Sequence, residues 1–290
     1  MLVREGWTVR VADIDPSTDD QVDFIRADIR RPGQARRAVE GIDAIIHAAA
    51  WHGMHLRDHP ARDFWELNVD ATFNLLEAAM SAGVRAFVLS STMGVYGSSS
   101  HPDGDGPAVR VHEDLPLRPG DIYGQSKVMS EHLVAFFART QGIRAVALRY
   151  GMFVPEPFGH YGVRMLYGGV DARDVAAANV AALRRLETPA DFAAYNIFSA
   201  LPFDDSDLGE LRTRPMAVVH RHWPDSPRLL REIGETPWGP INTIYESGRA
   251  GHDLGWWPRF NFSQFIDGLK RGVRTADELD PDLSRTEREQ

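Results

Sequence analysis

Tyr123 and Lys127 are the residues whose types and spacing best fit proton chemistry. They lie four positions apart in an amphipathic stretch, and residues at that spacing share one face of a helix. An ammonium about 4 Å from a phenol, at an effective dielectric near 20, favours the phenolate by about 4 kcal/mol, or roughly three pKa units. Burial opposes that shift. We therefore expect Lys127 to bring the pKa of Tyr123 towards the working pH, where a general acid/base is most effective.

A hydroxyl run, Ser90-Ser91-Thr92, ends an apolar strand upstream of this pair. The surrounding chain alternates short apolar strands with amphipathic helices, which is typical of a parallel sheet covered on both faces. The predicted strands are 8–12, 22–26, 44–49, 86–90, 144–149 and 195–198, and the predicted helices are 35–39, 63–80, 123–141 and 171–186. Residues 97–119 are rich in Gly, Pro and Ser and are predicted to form a long loop.

The bulk composition is that of a folded globule: 43% of the 290 residues are hydrophobic and 25% are charged. A net charge of −9 disfavours a nucleic-acid partner, which needs a basic surface. The absence of cysteine excludes disulfides and thiolate metal sites. The first residues are too polar for a signal peptide and no apolar run approaches membrane-spanning length, so we expect a cytoplasmic protein without membrane partners.

Several motifs in order along nearly the whole chain resemble the extended short-chain dehydrogenase/reductase family, which contains sugar epimerases and dehydratases. They are Leu89-Ser90-Ser91-Thr92, Val95-Tyr96-Gly97, Tyr123-Gly124-Gln125-Ser126-Lys127 and Leu148-Arg149-Tyr150-Gly151. The resemblance implies an α/β fold, a Rossmann-like doubly wound parallel sheet with a small C-terminal substrate lobe. It implies an enzyme that uses NAD(P) on a small-molecule substrate.

The same resemblance implies roles for individual residues. Tyr123 is the acid/base, Lys127 also binds the nicotinamide ribose, and Asn68 is an active-site residue. Counting back from Val95 makes Thr92 the hydroxyl that holds the reacting substrate oxygen, with Met93 beside the substrate. The remaining predicted cofactor contacts are Asp28, Ile29, Ala48, Ala49, Ser90 and Tyr150.

Asp13 ends the second strand of the family pattern, where a carboxylate binds the adenosine ribose hydroxyls. A carboxylate there repels a 2′-phosphate, so NAD is favoured over NADP, although Arg10 lies two residues earlier and opposes that preference. In the family a strand and a Gly-x-x-Gly-x-x-Gly turn precede this segment. The sequence is expected to lack both, as a truncated gene start would, and hence to lack the diphosphate cradle.

The expected domains are 1–150, an NAD(P)-binding domain, and 151–275, mainly a substrate lobe, with 171–200 returning to the sheet and 276–290 a frayed tail. Only Gly151 to Gly169 stand where nucleotide-sugar epimerases usually carry a long clamp, and this compact loop resembles that of uronate dehydrogenases. A free sugar-like hydroxy or keto substrate is therefore expected. Arg164 is either a contact for its carboxylate or phosphate or a solvated loop arginine.

Other interpretations compete with these. The histidines at 47, 52, 55 and 59 allow a metal site, but structural or substrate contacts are favoured and no metal is predicted. The tryptophans at 223, 238, 256 and 257 are expected to pack the lobe rather than stack a sugar. The resemblance implies a homodimer built from two long helices of each subunit. The alternative functions are a nucleotide-sugar epimerase or dehydratase and a non-catalytic NAD-binding regulatory protein.

Overall fold

The computed structural model describes residues 1–188 and 191–279. The chain forms two compact units, and both are discontinuous in sequence. The first contains 1–97, 116–149 and 176–195, and the second contains 98–115, 150–175 and the chain from 196 onward. Residues 98–115, expected in the first domain, thus belong to the second unit.

Parallel strands form the centre of the first unit. Strand β1 (Arg10–Asp13) pairs in parallel with β2 (Asp23–Arg26), and β3 (Ala44–His47) pairs in parallel with β4 (Ala86–Thr92). Strands β6 (Arg144–Tyr150) and β7 (Ala193–Ile197) extend the second group in the order β3-β4-β6-β7. The predicted α/β class with parallel sheets is confirmed, and each of these strands lies within two residues of its predicted start.

Helices connect these strands, as parallel pairing requires. They are α1 (Pro32–Ala38), α2 (Ala61–Trp65), α3 (Ala71–Ala82), α4 (Ile122–Gln141) and α6 (Ala172–Arg185). The helix predicted over 63–80 is divided into α2 and α3 by a π-helical turn, Glu66–Asp70. The core of this unit lies between α3, α4 and the strands and contains Leu76, Phe87 and Leu89, all fully buried.

The sheet of the first unit is interrupted between β1 and β3. Among the described residues, β1 pairs only with β2, and β3 pairs only with β4. Residues of both strands line one cavity of about 840 Å³.

The second unit contains a small parallel sheet of β5 (Val109–Val111) and β8 (Thr243–Tyr245). Its helices are α5 (Phe158–Arg164), α7 (Leu208–Thr213), α8 (Pro215–His222), α9 (Ser226–Glu232), α10 (Gly248–Leu254) and α11 (Phe262–Lys270). Aromatic side chains dominate its core, including Phe203, Trp223, Phe262 and Phe265. The long loop predicted over 97–119 is wrong in part, since it contains β5 and a 3₁₀ turn at Gly97–Ser100.

The frayed tail predicted over 276–290 is also wrong for its first residues. Ala276–Glu278 form a 3₁₀ turn and Leu279 is buried, while Arg173 donates hydrogen bonds to the carbonyls of Ala276 and Leu279. Residues 280–290 of that prediction lie outside the described part of the chain. Across 1–188 and 191–279, no helix has both the length and the apolarity needed to cross a bilayer.

Candidate active site

The end of β4 and the first turns of α4 form the candidate site in the first unit. Thr92 is the last residue of β4, and its Oγ1 accepts a hydrogen bond from the backbone N–H of Gly94 at 3.1 Å, which begins a 3₁₀ turn over Met93–Val95. Asp121 caps α4, because its Oδ1 accepts from the N–H of Gly124 at 2.7 Å. Local caps thus fix the backbone at the end of β4, which carries Thr92, and at the start of α4, which carries Tyr123.

A hydrogen bond and a close polar contact join the strand end to the helix. Lys127 Nζ donates to the carbonyl oxygen of Ser90 at 2.8 Å, and the Thr92 side chain lies close enough to the phenol of Tyr123 to influence its pKa. Lys127 and Thr92 are buried, and Tyr123 is half-buried. The structure therefore brings together Thr92, Tyr123 and Lys127, with the Ser90 carbonyl as the anchor of the ammonium group.

The electrostatics differ from the sequence-based expectation. Burial raises the pKa of Tyr123, although the neighbouring Thr92 side chain opposes the rise and the carboxylate of Asp121 adds to it. Burial lowers the pKa of Lys127 to about 8, and Glu131 opposes that fall. The expected lowering of the Tyr123 pKa by Lys127 is wrong for this conformation, because the ammonium is bound to the Ser90 carbonyl and desolvation of the phenolate dominates.

Asn68 connects two segments of the site. Its amide donates to the Trp51 carbonyl and the Ser126 hydroxyl, both at 2.8 Å, and its Oδ1 accepts from the Trp51 N–H at 2.9 Å. Its own carbonyl, in the π-helical turn, accepts from the hydroxyls of Thr72 and Ser130, both at 2.6 Å. All its polar groups thus have protein partners, so Asn68 positions the segment that follows β3 against α4.

That segment passes beside Tyr123 and carries several aromatic rings. A Cβ added to Gly53 would lie 3.7 Å from Cδ1 of Tyr123, so this backbone covers the phenol ring. Trp51 stacks on His59 with ring centroids 3.9 Å apart. His59 is bound to Asp63, while His55 accepts a hydrogen bond from the backbone N–H of His52. His47 is separate, buried and hydrogen-bonded to Thr72. In the described residues no group of three or more His, Asp or Glu is placed to bind a metal.

The predicted cofactor residues at the other end of the first unit line the cavity between β1 and β3. They include Asp13, Ile29, Ala48 and Ala49. Asp28 is engaged elsewhere, because its carboxylate accepts two bonds from the Arg30 guanidinium at 2.9 Å, and this arginine lowers the pKa of Asp28. These residues fit the adenosine end of a dinucleotide, but the diphosphate contact of a Gly-rich turn has no counterpart in the sequence.

Two predicted site residues belong to the second unit. Tyr150 is buried there. Arg164 is 2% exposed; its Nε donates to Glu156 and its Nη1 to the carbonyls of Met152 and Val170. Both interpretations of Arg164, as a substrate contact and as a solvated loop residue, are wrong, because its donors bind protein acceptors in a buried setting.

The four tryptophans of the second unit divide into two pairs. Trp223 and Trp256 are buried and donate hydrogen bonds to Ser263 and to the Asp174 carbonyl, as the packing interpretation predicts. Trp238 and Trp257 are exposed, and Trp238 stacks on Tyr167 with ring centroids 5.2 Å apart.

Sequence reasoning missed a buried ion pair below the site. Glu131 accepts two bonds from Arg149, at 3.0 and 2.7 Å, and one from the Ser91 hydroxyl at 2.5 Å. Arg149 Nη1 also donates to the Tyr96 hydroxyl at 3.0 Å. The only signal in the sequence was that Glu131 stands one helical turn after Lys127 on the same face.

Comparison with known proteins agrees with this geometry. The NAD dependent epimerase/dehydratase family matches residues 1–162, which is more than half of the chain. The chain belongs to this family. A UDP-glucose 4-epimerase of Streptomyces lividans is 34% identical over 130 residues, covering 44% of this chain and 37% of that protein. A uronate dehydrogenase of Pseudomonas syringae is 29% identical over 147 residues, 51% of this chain and 50% of that protein.

Solved structures of similar proteins have the same type of fold as this chain. A variant of uronate dehydrogenase from Agrobacterium tumefaciens complexed with NAD has a TM-score of 0.63 and 20% identity, covering 96% of this chain and 85% of that one. At that identity the likeness concerns the fold alone. The chain is thus a Rossmann-type family member with low identity to both epimerases and dehydrogenases.

Proposed function

We propose that this family member is an NAD-dependent oxidoreductase acting on a small sugar-like hydroxy or keto compound. The observation that carries the proposal is that the end of β4 meets the first turns of α4: Lys127 donates a hydrogen bond to the Ser90 carbonyl, and the Thr92 side chain lies beside the Tyr123 phenol. A hydroxyl donor, a phenol and an ammonium in one buried cluster are the groups that proton transfer at a carbinol or carbonyl oxygen requires.

The proton chemistry follows from the electrostatics. Because burial raises the pKa of Tyr123, the neutral phenol is the resting form and is ready to give its proton to a substrate carbonyl oxygen. In the opposite direction, Tyr123 must first lose its proton to solvent, and its phenolate then receives the proton of the substrate hydroxyl. The hydroxyl of Thr92 donates to the same substrate oxygen as negative charge develops on it. NAD, when bound, supplies the hydride chemistry.

The preference for NAD over NADP rests on Asp13, whose carboxylate lines the cavity of the first unit. Arg10 is the residue that was expected to weaken this preference. Its Nε donates to Asp23 at 2.6 Å and its Nη1 to the carbonyl of Glu40 at 2.7 Å. These two donors are therefore bonded to groups other than Asp13. An uncompensated carboxylate at position 13 disfavours a 2′-phosphate.

The substrate class is inferred from relatives and from the aromatic segment whose backbone passes beside Tyr123 at Gly53. Uronate dehydrogenase and UDP-glucose 4-epimerase both act on sugar derivatives by their names. In this chain the Trp51 and His52 segment, next to the phenol, supplies apolar faces and imidazole donors suited to a polyhydroxylated compound. Arg164 donates its hydrogen bonds to protein acceptors, so we do not assign it to a carboxylate or phosphate of the substrate. We therefore propose sugar-like alcohols or ketones without requiring a carboxylate.

The test is a screen for nicotinamide reduction with NAD and NADP in parallel, against free sugars, uronates, secondary alcohols and nucleotide sugars. We expect turnover with NAD and a free polyol or secondary alcohol, and a loss of about 10²–10⁴ in kcat for Tyr123→Phe, the usual contribution of a general acid/base. Conversion of a nucleotide sugar without net nicotinamide reduction would instead identify an epimerase. If the wild type and Tyr123→Phe both bind NAD but neither turns over any substrate, the regulatory alternative is indicated.

A further inference from the structure

Three consecutive residues at the end of β4 each contact a different residue of α4. The Ser90 carbonyl accepts a hydrogen bond from Lys127, the Ser91 hydroxyl donates one to Glu131, and the Thr92 side chain lies beside the Tyr123 phenol. The outer two contacts involve the groups of the proposed chemistry. The middle one involves a carboxylate that touches neither substrate nor cofactor in that proposal.

The middle bond is also the most strongly anchored. Glu131 is 3% exposed, and both of its oxygens accept from the Arg149 guanidinium of β6. Arg149 lies 5.1 Å from the centroid of the Tyr96 ring as well as bonding its hydroxyl. A bidentate ion pair fixes the direction of a carboxylate, so the Ser91 hydroxyl receives an acceptor of fixed position.

We propose that Glu131 is a positioning residue for the Thr92, Tyr123 and Lys127 cluster: it holds the end of β4 through Ser91, and its charge keeps the buried Lys127 protonated. This inference rests on the proposed function, since it concerns the same cluster. The two parts of the role are separable, because Ser91 carries the first and the carboxylate charge carries the second.

Geometry supports the second part, because Glu131 follows Lys127 by one helical turn of α4 and each residue is only 3% exposed. Burial lowers the pKa of Lys127 to about 8, and Glu131 is the group that opposes the fall. The other titratable neighbours add no negative charge. His47, from β3, has its pKa lowered to about 3 by burial and by Lys127, so it is neutral, and the pKa of His52 is lowered too. Arg149 is paired with Glu131 itself.

Because the chain has few lysines, the pKa of Lys127 can be measured without substrate or NAD. Lys127 and Lys270 are the two lysines of the chain. Labelling lysine with ¹³C at Cε gives two resonances, and Lys270→Arg identifies the exposed one, so the titration of Lys127 is observed directly by NMR. Labelled threonine methyl groups report on Thr92, with Thr92→Ser as the assignment variant.

For the charge, Glu131→Gln should lower the pKa of Lys127 by on the order of one unit, the scale of one charge at helical-turn distance. Glu131→Asp, which keeps the charge, should leave it near the wild-type value. Glu156→Gln is the matched control, since it also removes the carboxylate from a buried ion pair, with Arg164. It should not move the Lys127 resonance. An unchanged Lys127 pKa in Glu131→Gln overturns the charge role.

For the position, Ser91→Ala keeps the ion pair and should leave the Lys127 pKa unchanged while the Thr92 methyl becomes more mobile. A Thr92 methyl as ordered as in wild type overturns the positioning role. If Glu131→Gln fails to fold, Glu131→Met combined with Arg149→Leu removes both charges, a replacement that buried pairs often tolerate. A smaller fall in the Lys127 pKa is expected, because the repulsive charge of Arg149 is removed together with the attractive charge of Glu131. Failure of the proposed function would appear separately, as absent turnover in wild type with these NMR results intact.

Discussion

Gly124, in the first turn of α4, lies directly against the backbone of Gly94, in the turn that follows Thr92. A Cβ added at position 124 would lie 2.6 Å from the Gly94 carbonyl oxygen and 2.9 Å from Cβ of Pro119. Real Cβ atoms do not approach backbone oxygens so closely. The absence of a side chain at Gly124 therefore sets the separation between the turn bearing Thr92 and the helix bearing Tyr123.

Gly124→Ala should consequently damage both folding and the site. Glycine to alanine in a helix normally stabilises by about 1 kcal/mol, but the forced shift of α4 should reverse the sign and cost about 1–3 kcal/mol. Turnover should fall with it, because small displacements of catalytic groups are costly. Urea unfolding measures the first effect and kcat the second.

Gly33 provides the matched control. It lies in α1, and a Cβ there would meet no atom within 4 Å. Gly33→Ala should therefore be neutral or stabilising by up to about 1 kcal/mol. If Gly124→Ala were as stable and as active as Gly33→Ala, close backbone contact would not be what positions Tyr123 relative to Thr92.

The strands and the helix carrying Tyr123 could be predicted because apolar periodicity is a local property of sequence. The residue pair at 123 and 127 was found for the same reason, since helical spacing puts both side chains on one face. The direction of the Tyr123 pKa could not be predicted, because it depends on burial and on which acceptor Lys127 chooses. Sequence spacing contains neither the depth of the phenol nor the position of the Ser90 carbonyl.

Arg164 and Glu131 show the same limit for buried ion pairs. Arg164 is expected from the sequence to be a ligand contact, since its planar fork suits a carboxylate or phosphate, or else a solvated loop residue, yet it pairs with Glu156 within the same unit. Glu131 and Arg149 are separated in sequence by the rest of α4 and meet only because β6 returns beside β4. Pairings of this kind require the strand order, which single-sequence patterns do not provide.

We propose that the aromatic residues on the exposed side of α3 and α4 form a homodimer interface. Phe73 is 39% exposed and Phe136 is 48% exposed, and both rings lie within 6 Å of the Phe137 ring. Sedimentation of the wild type should give a dimer, and Phe136→Glu should shift it to monomer, since a charge there must be desolvated in the interface. Phe153→Glu, at a 41% exposed position of the second unit, should leave the dimer intact. A monomeric wild type would refute the interface.

Asp174 gives the second unit an unusual dependence on pH. It is 2% exposed, and its carboxylate accepts hydrogen bonds from the backbone N–H groups of Arg259, at 3.0 Å, and Phe260, at 2.9 Å. Burial, which outweighs these bonds, raises the pKa of Asp174 to about 6 from its usual 3.8. Between those two values the folded state binds more protons at this site than the unfolded state.

The free energy of unfolding should therefore increase, through this group, as the pH falls from about 6 to 4, by up to about 3 kcal/mol. Carboxylates with lowered pKa, such as Asp171 and Asp207, act in the opposite direction, so the wild type alone is ambiguous. Asp174→Asn removes only the one titration. The difference in unfolding free energy between wild type and Asp174→Asn, from urea denaturation followed by tryptophan fluorescence, should grow in favour of wild type as the pH is lowered across that range. A difference that stays constant, or that shrinks, would mean that Asp174 is ionised in the folded protein throughout.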